Sequence, residues 1–494
     1  MSYPGNSQEH LPHSHALRGN EARSYGAYPG GSDAAHKNYA PKLREIIADR
    51  ILIRCRLITW YGTCFIFRDK TCRELTMPAI SHSLSFPVQG DKENSSFFND
   101  YLGKLLEERD SLNLSNMIHE IDAMMLTVEP GKSIEYIGEL CLMSPYHYLV
   151  TLESESHWTH VLRIDMTAPD LIIREVKNDD TKGIFRSLNE VFPIGSSKPH
   201  SRYMGEVLRV TNRHDVVKLQ QHRGFLFFSQ DDIRKLELPG NLAITKPSPY
   251  THNIVAYLER EPDEPRVYAL GVSSIRDDAQ QACELAKHQQ KALGIDGLIL
   301  PVDHLATRIY SQNREVAILE WLSLSSYYYW GSFDIVDQNS STNVTKSIHY
   351  ADEMHSPAKV FTANNTPYFV NHFKIFPSPT ENFVRNYGPR LHHIALAVKD
   401  GNQQGMENID FVVNAISEQG KSFLLDVVGS KDEGLKQIFS SASEHSSLII
   451  EYVQRFGGFQ GFFTKDNVAE LTHAAGIEEE LLRMQTEAQK PVRV

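Results

Sequence analysis

The sequence predicts an α+β protein of repeated βαβββ modules that form a half-open barrel, preceded by an additional mixed α/β domain. Three observations carry that expectation. From about residue 205 onward, one order of elements recurs: a strand, a helix, then further strands. Two module-opening strands, Val302-Asp303-His304-Leu305-Ala306 and Leu391-His392-His393-Ile394-Ala395, each place a histidine two residues before an alanine, 393 − 304 = 89 residues apart. A late strand, Leu448-Ile449-Ile450-Glu451-Tyr452-Val453, carries one carboxylate among apolar residues.

Residues 1–38 are rich in Gly, Ser, His, Tyr and Pro without an apolar period, so a disordered leader is expected. Its histidines His10, His13, His15 and His36 read as part of a solvated tail. Residues 40–200 read as an N-terminal α/β domain of unknown role. In it, 50–67 is strand-like and 99–109 has helical spacing with Tyr101, Leu105 and Leu106 on one side. Further strands are expected at 146–152 and 159–165. A first repeat follows, with a strand at 205–210, a helix at 213–222 and strands at 224–228 and 253–258. A second, truncated repeat is expected from 267, with its helix at 277–293. The third opens at about Leu300 and ends near Pro367. The fourth opens at about Arg390, with a helix at 408–419 and strands at 422–426, 434–440 and 448–453. Residues 465–489 have a helical pattern that suits a cover over the barrel opening.

Composition narrows the function classes. Hydrophobic residues at 41% and charged residues at 23% are an ordinary globular mixture. A formal net charge of −12 without a dense Lys/Arg cluster argues against nucleic acid or a membrane surface as partner. The 5 cysteines form no CxxC pair, which fits reduced thiols and a cytoplasmic location. The first forty residues lack the apolar core of a secretory signal, and 51–67 is interrupted by Arg54 and Arg56.

Strand residues alternate faces, so Glu451 shares a face with Ile449 and Val453. An ionised carboxylate there is costly unless a positive charge compensates it. Two histidines and one carboxylate on converging strands supply the donors of a facial triad that holds non-heme Fe(II) with positions left open. On this reading His304, His393 and Glu451 bind the metal, with small neighbours (Ala306, Ala395, Ala397) leaving room above it. The plainer alternatives are core histidines bonded to backbone carbonyls, and Glu451 paired with Arg308 or Arg455. His392 is a rival ligand expected to face the other side of its strand. Gln437 shares a face with Leu435 and Phe439. Its buried amide needs a partner, either a substrate oxygen or neighbouring backbone. Phe439 is placed to stack on an aromatic ring.

Several short motifs occur in a recognisable order. They are Val302-Asp303-His304, Phe383-Val384-Arg385-Asn386-Tyr387-Gly388 before His393-Ile394-Ala395-Leu396, Glu433-Gly434-Leu435-Lys436-Gln437-Ile438-Phe439, and Glu451-Tyr452-Val453-Gln454-Arg455 before Gly457-Gly458-Phe459. Through them, residues 205–480 resemble the 4-hydroxyphenylpyruvate dioxygenases of the vicinal-oxygen-chelate superfamily. The resemblance implies residues 205–300 as an N-terminal half with its second module truncated, 301–480 as a metal-binding C-terminal half, and 481–494 as a helical tail. It also implies Fe(II) on His304, His393 and Glu451. Ser347, Asn364 and Gln437 then face the substrate, with Gln437 taking part in catalysis. The placement of Ser347 and Asn364 needs a two-residue insertion around 352–357. The activity implied is O2-dependent decarboxylation and hydroxylation of an aromatic 2-keto acid or a related acid.

The sequence departs from the family at His392, where the family has glutamine, at Pro379, and at Asn467-Val468, where the family has an aromatic beside asparagine. Phe462 or Phe463 is the available substitute. These departures leave the metal donors in place and the substrate open; conversion of 4-hydroxyphenylpyruvate to homogentisate is one option. Two other readings stay open. One is a ring-cleaving dioxygenase or isomerase on the same scaffold, and the other is a binding protein without catalysis. Assembly as a homo-oligomer is also left open.

Overall fold

The computed structural model describes residues 89–90, 96–178, 184–239, 241–349, 356–366, 379–424, 426–459 and 461–488. The expected leader, the strand-like stretch 50–67 and Cys55, Cys64 and Cys72 lie outside the described residues, as do Pro367 and part of the 352–357 insertion.

After β1 (Gln89–Gly90), helices α1 (Ser96–Ser111) and α2 (Leu114–Met117) lead into a complete βαβββ module. It consists of β2 (Ile118–Val128), α3 (Ser133–Met143), β3 (His147–Glu153), β4 (His157–Arg163) and β5 (Asp170–Val176). Helix α4 (Ile184–Glu190) connects it to a second module of β6 (Arg202–Val210), α5 (Arg213–His222), α6 (Gln230–Lys235), β7 (Leu242–Ile244) and β8 (Ile254–Glu259). Strand β9 (Val272–Ser274) and α7 (Asp277–Leu293) follow. The third module holds β10 (Ile299–Arg308), α8 (Arg314–Leu324), β11 (Tyr327–Ile335), β12 (Ser340–Ser347) and β13 (Ala358–Asn364). After α9 (Pro379–Tyr387), the fourth begins with β14 (Arg390–Val398) and a small hairpin, β15 (Asn402–Gln403) and β16 (Met406–Glu407). It continues through α10 (Asn408–Ser417), β17 (Val428–Ser430), β18 (Leu435–Phe439) and β19 (Ile449–Arg455), and α11 (Lys465–Ala488) closes the chain described.

Two large sheets result. One has the order β7-β8-β6-β2-β5-β4-β3-β9, and the other, curled into a half-barrel, β1-β11-β12-β13-β10-β14-β19-β18-β17. In every module the last strand returns parallel to the first: β5 beside β2, β8 beside β6, β13 beside β10, β19 beside β14. Modules join in pairs through antiparallel first strands, β2 with β6 and β10 with β14.

This pairing corrects the expected domain boundary. Residues 118–176 and 202–259 share one sheet, so no break falls near residue 200, and the first module of the N-terminal pair lies before 205 rather than after it. The expected truncated module at 267 is instead edge strand β9, antiparallel to β3, followed by α7. Helix α7 packs on α3, where Gln290 Nε2 donates to Leu142 O at 2.7 Å and Lys287 Nζ to Ser144 O at 2.7 Å. The expected strands at 224–228 and 422–426 reduce to single bridges, Phe227 with Thr245 and Phe423 with Ser440. The helices follow local rules. Asn212 caps α5 by accepting from Asp215 N at 3.0 Å, and α7 ends at Gly294 with φ of 73°.

The two halves meet through paired contacts. Arg202, at the start of β6, donates to Pro389 O at 2.7 Å. Arg390, at the start of β14, donates to Ser201 O at 2.7 Å. Arg109 of α1 spans to the third module through Leu322 O, Ser325 O and Tyr327 O at 3.1, 3.0 and 2.6 Å. On the inner face of the C-terminal sheet, Ala306, Val360, Ala395, Leu435 and Val453 pack with Phe462, Phe463 and Val468, which seats α11 over that face. Among the described residues, no helix is long and apolar enough to cross a membrane.

Candidate metal centre

Three adjacent strands carry the site. His304 on β10 pairs with Ala395 on β14, and Ala395 pairs in turn with Glu451 on β19; His393 stands opposite Ala306. This register points three side chains into one space on the inner face. One ligand atom from each of His304, His393 and Glu451 lies within 4.8 Å of the others, and all three residues are buried. Glu451 Oε2 lies 3.0 Å from His304 Nε2 and 3.1 Å from His393 Nε2, while the two Nε2 atoms are 3.3 Å apart.

The surroundings fix which atoms face inward. His304 Nδ1 donates to Asp303 Oδ1 at 2.7 Å, so in the neutral ring it is Nε2 that holds the lone pair and faces the centre. Asp303 is held by Arg455, whose Nη2 lies 3.1 Å from Oδ1. His393 Nδ1 lies 2.9 Å from His392 Nδ1. Gln437 Nε2 donates to Glu451 Oε1 at 2.6 Å, and Gln437 Oε1 accepts from Asn467 Nδ2 of α11 at 3.3 Å. A buried carboxylate oxygen 3.0 and 3.1 Å from two imidazole nitrogens is a donor set that fits a cation held among the three atoms.

The electrostatics agree. Burial disfavours a charged imidazole, but the Glu451 and Asp303 carboxylates outweigh it and raise His304 to about 9. Burial pushes Glu451 up, but His304 and His393 outweigh it and hold the carboxyl at about 2. At His393, burial wins over Glu451 and the imidazole is pushed down. The cluster thus draws in a positive charge, as a metal-binding group does. Raised to about 9, His304 holds a second proton near neutral pH that a metal ion would displace; with that proton gone, His304, His393 and Glu451 would offer two nitrogen donors and one carboxylate beside the cavity.

That cavity, of about 50 Å³, has apolar walls from Ala306, Val360, Phe439 and Phe463, polar groups from Arg308, Thr342 and Thr362, and a lid side from α11. The Phe463 ring meets His304 edge-on at 5.2 Å, and the Phe439 ring lies 4.8 Å from His393.

The other expected residues fare differently. Glu451 pairs with neither Arg308 nor Arg455, because Arg455 holds Asp303. His392 does not turn away: its ring lines the cavity against His393, and burial keeps it well below the ordinary imidazole range. Both ends of the Gln437 amide are engaged inside the protein, so the residue braces Glu451. Ser347 sits on the opposite face of β12 from Thr342 and Val344, outside the cavity lining, and accepts from His349 N at 3.2 Å. Asn364 accepts from Glu381 N at 2.8 Å at the start of α9, is not in the cavity lining, and its Nδ2 has no hydrogen-bond partner. The sequence reading assigned no role to Asp303 or Asn467. For Asp303 the signal was present, a carboxylate adjacent to a candidate ligand.

The N-terminal sheet repeats the same register without the donors. Ala123 pairs with Val207, Met125 with Gly205, and Val207 with Ala256. His304 and Ala123 each precede their module's helix by ten residues, 314 − 304 and 133 − 123. The reciprocal Arg202 and Arg390 contacts align Gly205 with His393. The triad positions are therefore Ala123, Gly205 and Ala256. Gly205 has φ of +152°, and a Cβ there would lie 1.9 Å from Ile254 O, so this position cannot offer a ligand side chain without moving backbone.

No protein-family model matches the chain, and no curated protein matches it in sequence. Solved structures do match. A triply substituted variant of 4-hydroxymandelate synthase from Streptomyces coelicolor is 14% identical, with a TM-score of 0.51, over 74% of this chain and 99% of that one. A xylose isomerase-like TIM barrel/4-hydroxyphenylpyruvate dioxygenase fusion protein is 13% identical with a TM-score of 0.44, over 73% of this chain and 53% of that one. BphC, a halotolerant catechol dioxygenase, is 10% identical with a TM-score of 0.36, over 68% and 87%.

Proposed function

On a vicinal-oxygen-chelate fold of the 4-hydroxyphenylpyruvate dioxygenase type, we propose that this chain is an Fe(II)-dependent dioxygenase. Its substrate is an aromatic 2-keto acid or a related acid, which it decarboxylates and hydroxylates with O2. The observation that carries this reading is the convergence of His304, His393 and Glu451 on one buried point beside an aromatic-walled cavity. Bound by those residues, Fe(II) supplies the one-electron chemistry that lets O2 react with a closed-shell organic acid.

The chain's own residues prepare that centre. Asp303 keeps the proton of His304 on Nδ1, which leaves Nε2 free to bind. His392, held neutral by burial, plays the same part at His393 by accepting from its Nδ1. Gln437 fixes one oxygen of Glu451, so the other points at the metal position. Asn467 ties Gln437 to α11, which links the bracing of the carboxylate to the helix that covers the cavity. Phe439 and Phe463 exclude water and offer ring faces and edges to an aromatic substrate. Gln437 acts as a positioning residue in this account.

The test is anaerobic mixing of Fe(II)-loaded protein with phenylpyruvate. A visible charge-transfer band, followed by loss of CO2 on admitting oxygen, is expected. No band with keto acids, together with a band on adding catechol, would refute the proposal in favour of ring cleavage.

A further inference from the structure

Helices α3 and α7 meet closely enough that a Cβ added at Gly138 would lie 3.7 Å from the Ala282 Cβ. Cys141 stands one turn beyond Gly138, and Cys283 follows Ala282. They are the two cysteines among the described residues, both free thiols, 0% and 5% exposed. The Cys141 and Cys283 thiols hydrogen-bond to each other across the helix contact. Cys283 Sγ also accepts from Tyr148 N, at the start of β3, at 3.2 Å.

The two sulfurs differ in setting. Cys283 accepts from the Cys141 thiol and from Tyr148 N, and Lys287 adds a positive charge one turn along α7. The hydrogen bond from Cys141 is the main cause that holds the Cys283 thiol below its ordinary range, against burial. Cys141 is the donor, and that bond together with burial pushes its thiol up. A sulfur that favours the thiolate, in contact with a protonated neighbour, is how an attacking and a resolving cysteine are arranged.

We propose that Cys141 and Cys283 are a modification site, at which a hydroperoxide oxidises the pair to a disulfide that ties α3 to α7. The Cys283 thiolate attacks one peroxide oxygen, the O–O bond breaks, and a sulfenic acid forms while the other oxygen leaves as hydroxide and takes up the proton Cys283 has lost. The Cys141 sulfur then attacks the Cys283 sulfur, and the displaced hydroxyl leaves as water with the Cys141 proton. Two thiols and one hydrogen peroxide give one disulfide and two waters; each sulfur gives up one electron and the peroxide takes both. Tyr452 Oη donates to Met143 O at 2.7 Å, so the tied helix α3 is also bonded to β19, on the face away from Glu451.

The test is hydrogen peroxide treatment of the native full-length chain, then blocking of free thiols with N-ethylmaleimide, tryptic digestion without reductant and mass spectrometry. Peptides 133–163 and 277–287 should appear joined, lighter than their sum by two hydrogen atoms, and should separate on adding dithiothreitol. In Cys141→Ser the oxidation should stop at a sulfenic acid on Cys283 that dimedone traps, while in Cys283→Ser the Cys141 thiol should stay reduced. Recovery of both peptides as maleimide adducts, or a cross-link that forms as readily in urea as in the native chain, overturns the proposal. So does pairing of either cysteine with Cys55, Cys64 or Cys72 in the native chain. Dimedone capture at Cys141 in Cys283→Ser equal to that at Cys283 in Cys141→Ser contradicts the assigned roles.

Discussion

His304 Nε2 and Glu451 Oε2 lie 3.0 Å apart although their strands are not neighbours, since β14 runs between β10 and β19. The two side chains lean over Ala395, which pairs with both residues and has no bulk to hold them apart. His393, on the same middle strand, completes the group from the side.

Asp303 is tied to that geometry through His304 Nδ1. Asp303→Asn removes the charge that orients the ring while keeping its shape. Fe(II) affinity should fall by about 10- to 100-fold with the fold intact by circular dichroism. Unchanged affinity would show that the ring is held by packing alone.

Gln437 offers a separable prediction. If it braces Glu451, Gln437→Leu should weaken Fe(II) binding by roughly tenfold, in line with other supports of a ligand. A change confined to the KM for the organic substrate, with metal affinity untouched, would mark it as a substrate contact instead.

Glu320 on α8 should set a pH dependence of stability distinct from the metal site. Burial raises its carboxyl from the ordinary value of 4.5 to about 7, against the opposing hydrogen bond from Ser248. Between those values the folded chain holds a proton that the unfolded chain has lost, so stability falls as pH rises from 4.5 to about 7. Glu320→Gln should match wild type near pH 4 and exceed it by up to about 3 kcal/mol above pH 7, measured by urea unfolding. A constant difference across that range would refute the assignment.

The parts legible in sequence were those fixed by neighbouring residues. Asn212 and Gly294 bound their helices by local capping, and α5 and α7 fall where the sequence places them. The convergence of the two histidine strands was legible because each carries a small residue two positions on, which the sheet register uses to make room. The first module was hidden because two carboxylates interrupt the apolar run of β2. Its Glu120 and Asp122 are neutralised by Arg209 and Arg260, 89 and 138 residues away, and no local pattern announces such partners. Ser347 and Asn364 were placed by resemblance across a two-residue insertion around 352–357 and not by strand alternation, and neither is among the residues lining the cavity. His392 is skipped where the β10–β14 pairing shifts register, Ala306 facing His393 and Thr307 facing Leu391, so simple alternation fails there; its Nδ1 lies 2.9 Å from His393 Nδ1, and the local sequence does not announce the irregularity.

The account is tested most directly by anaerobic Fe(II) binding to the wild-type chain and to Ala123→Ser, His304→Ala, His393→Ala and Glu451→Ala. It predicts one tightly bound iron per chain in the wild type and in Ala123→Ser, whose position shares the triad's register in the other sheet. It predicts at least a hundredfold weaker binding in each of the other three. Iron retained at wild-type affinity after loss of His304, His393 or Glu451 would contradict it.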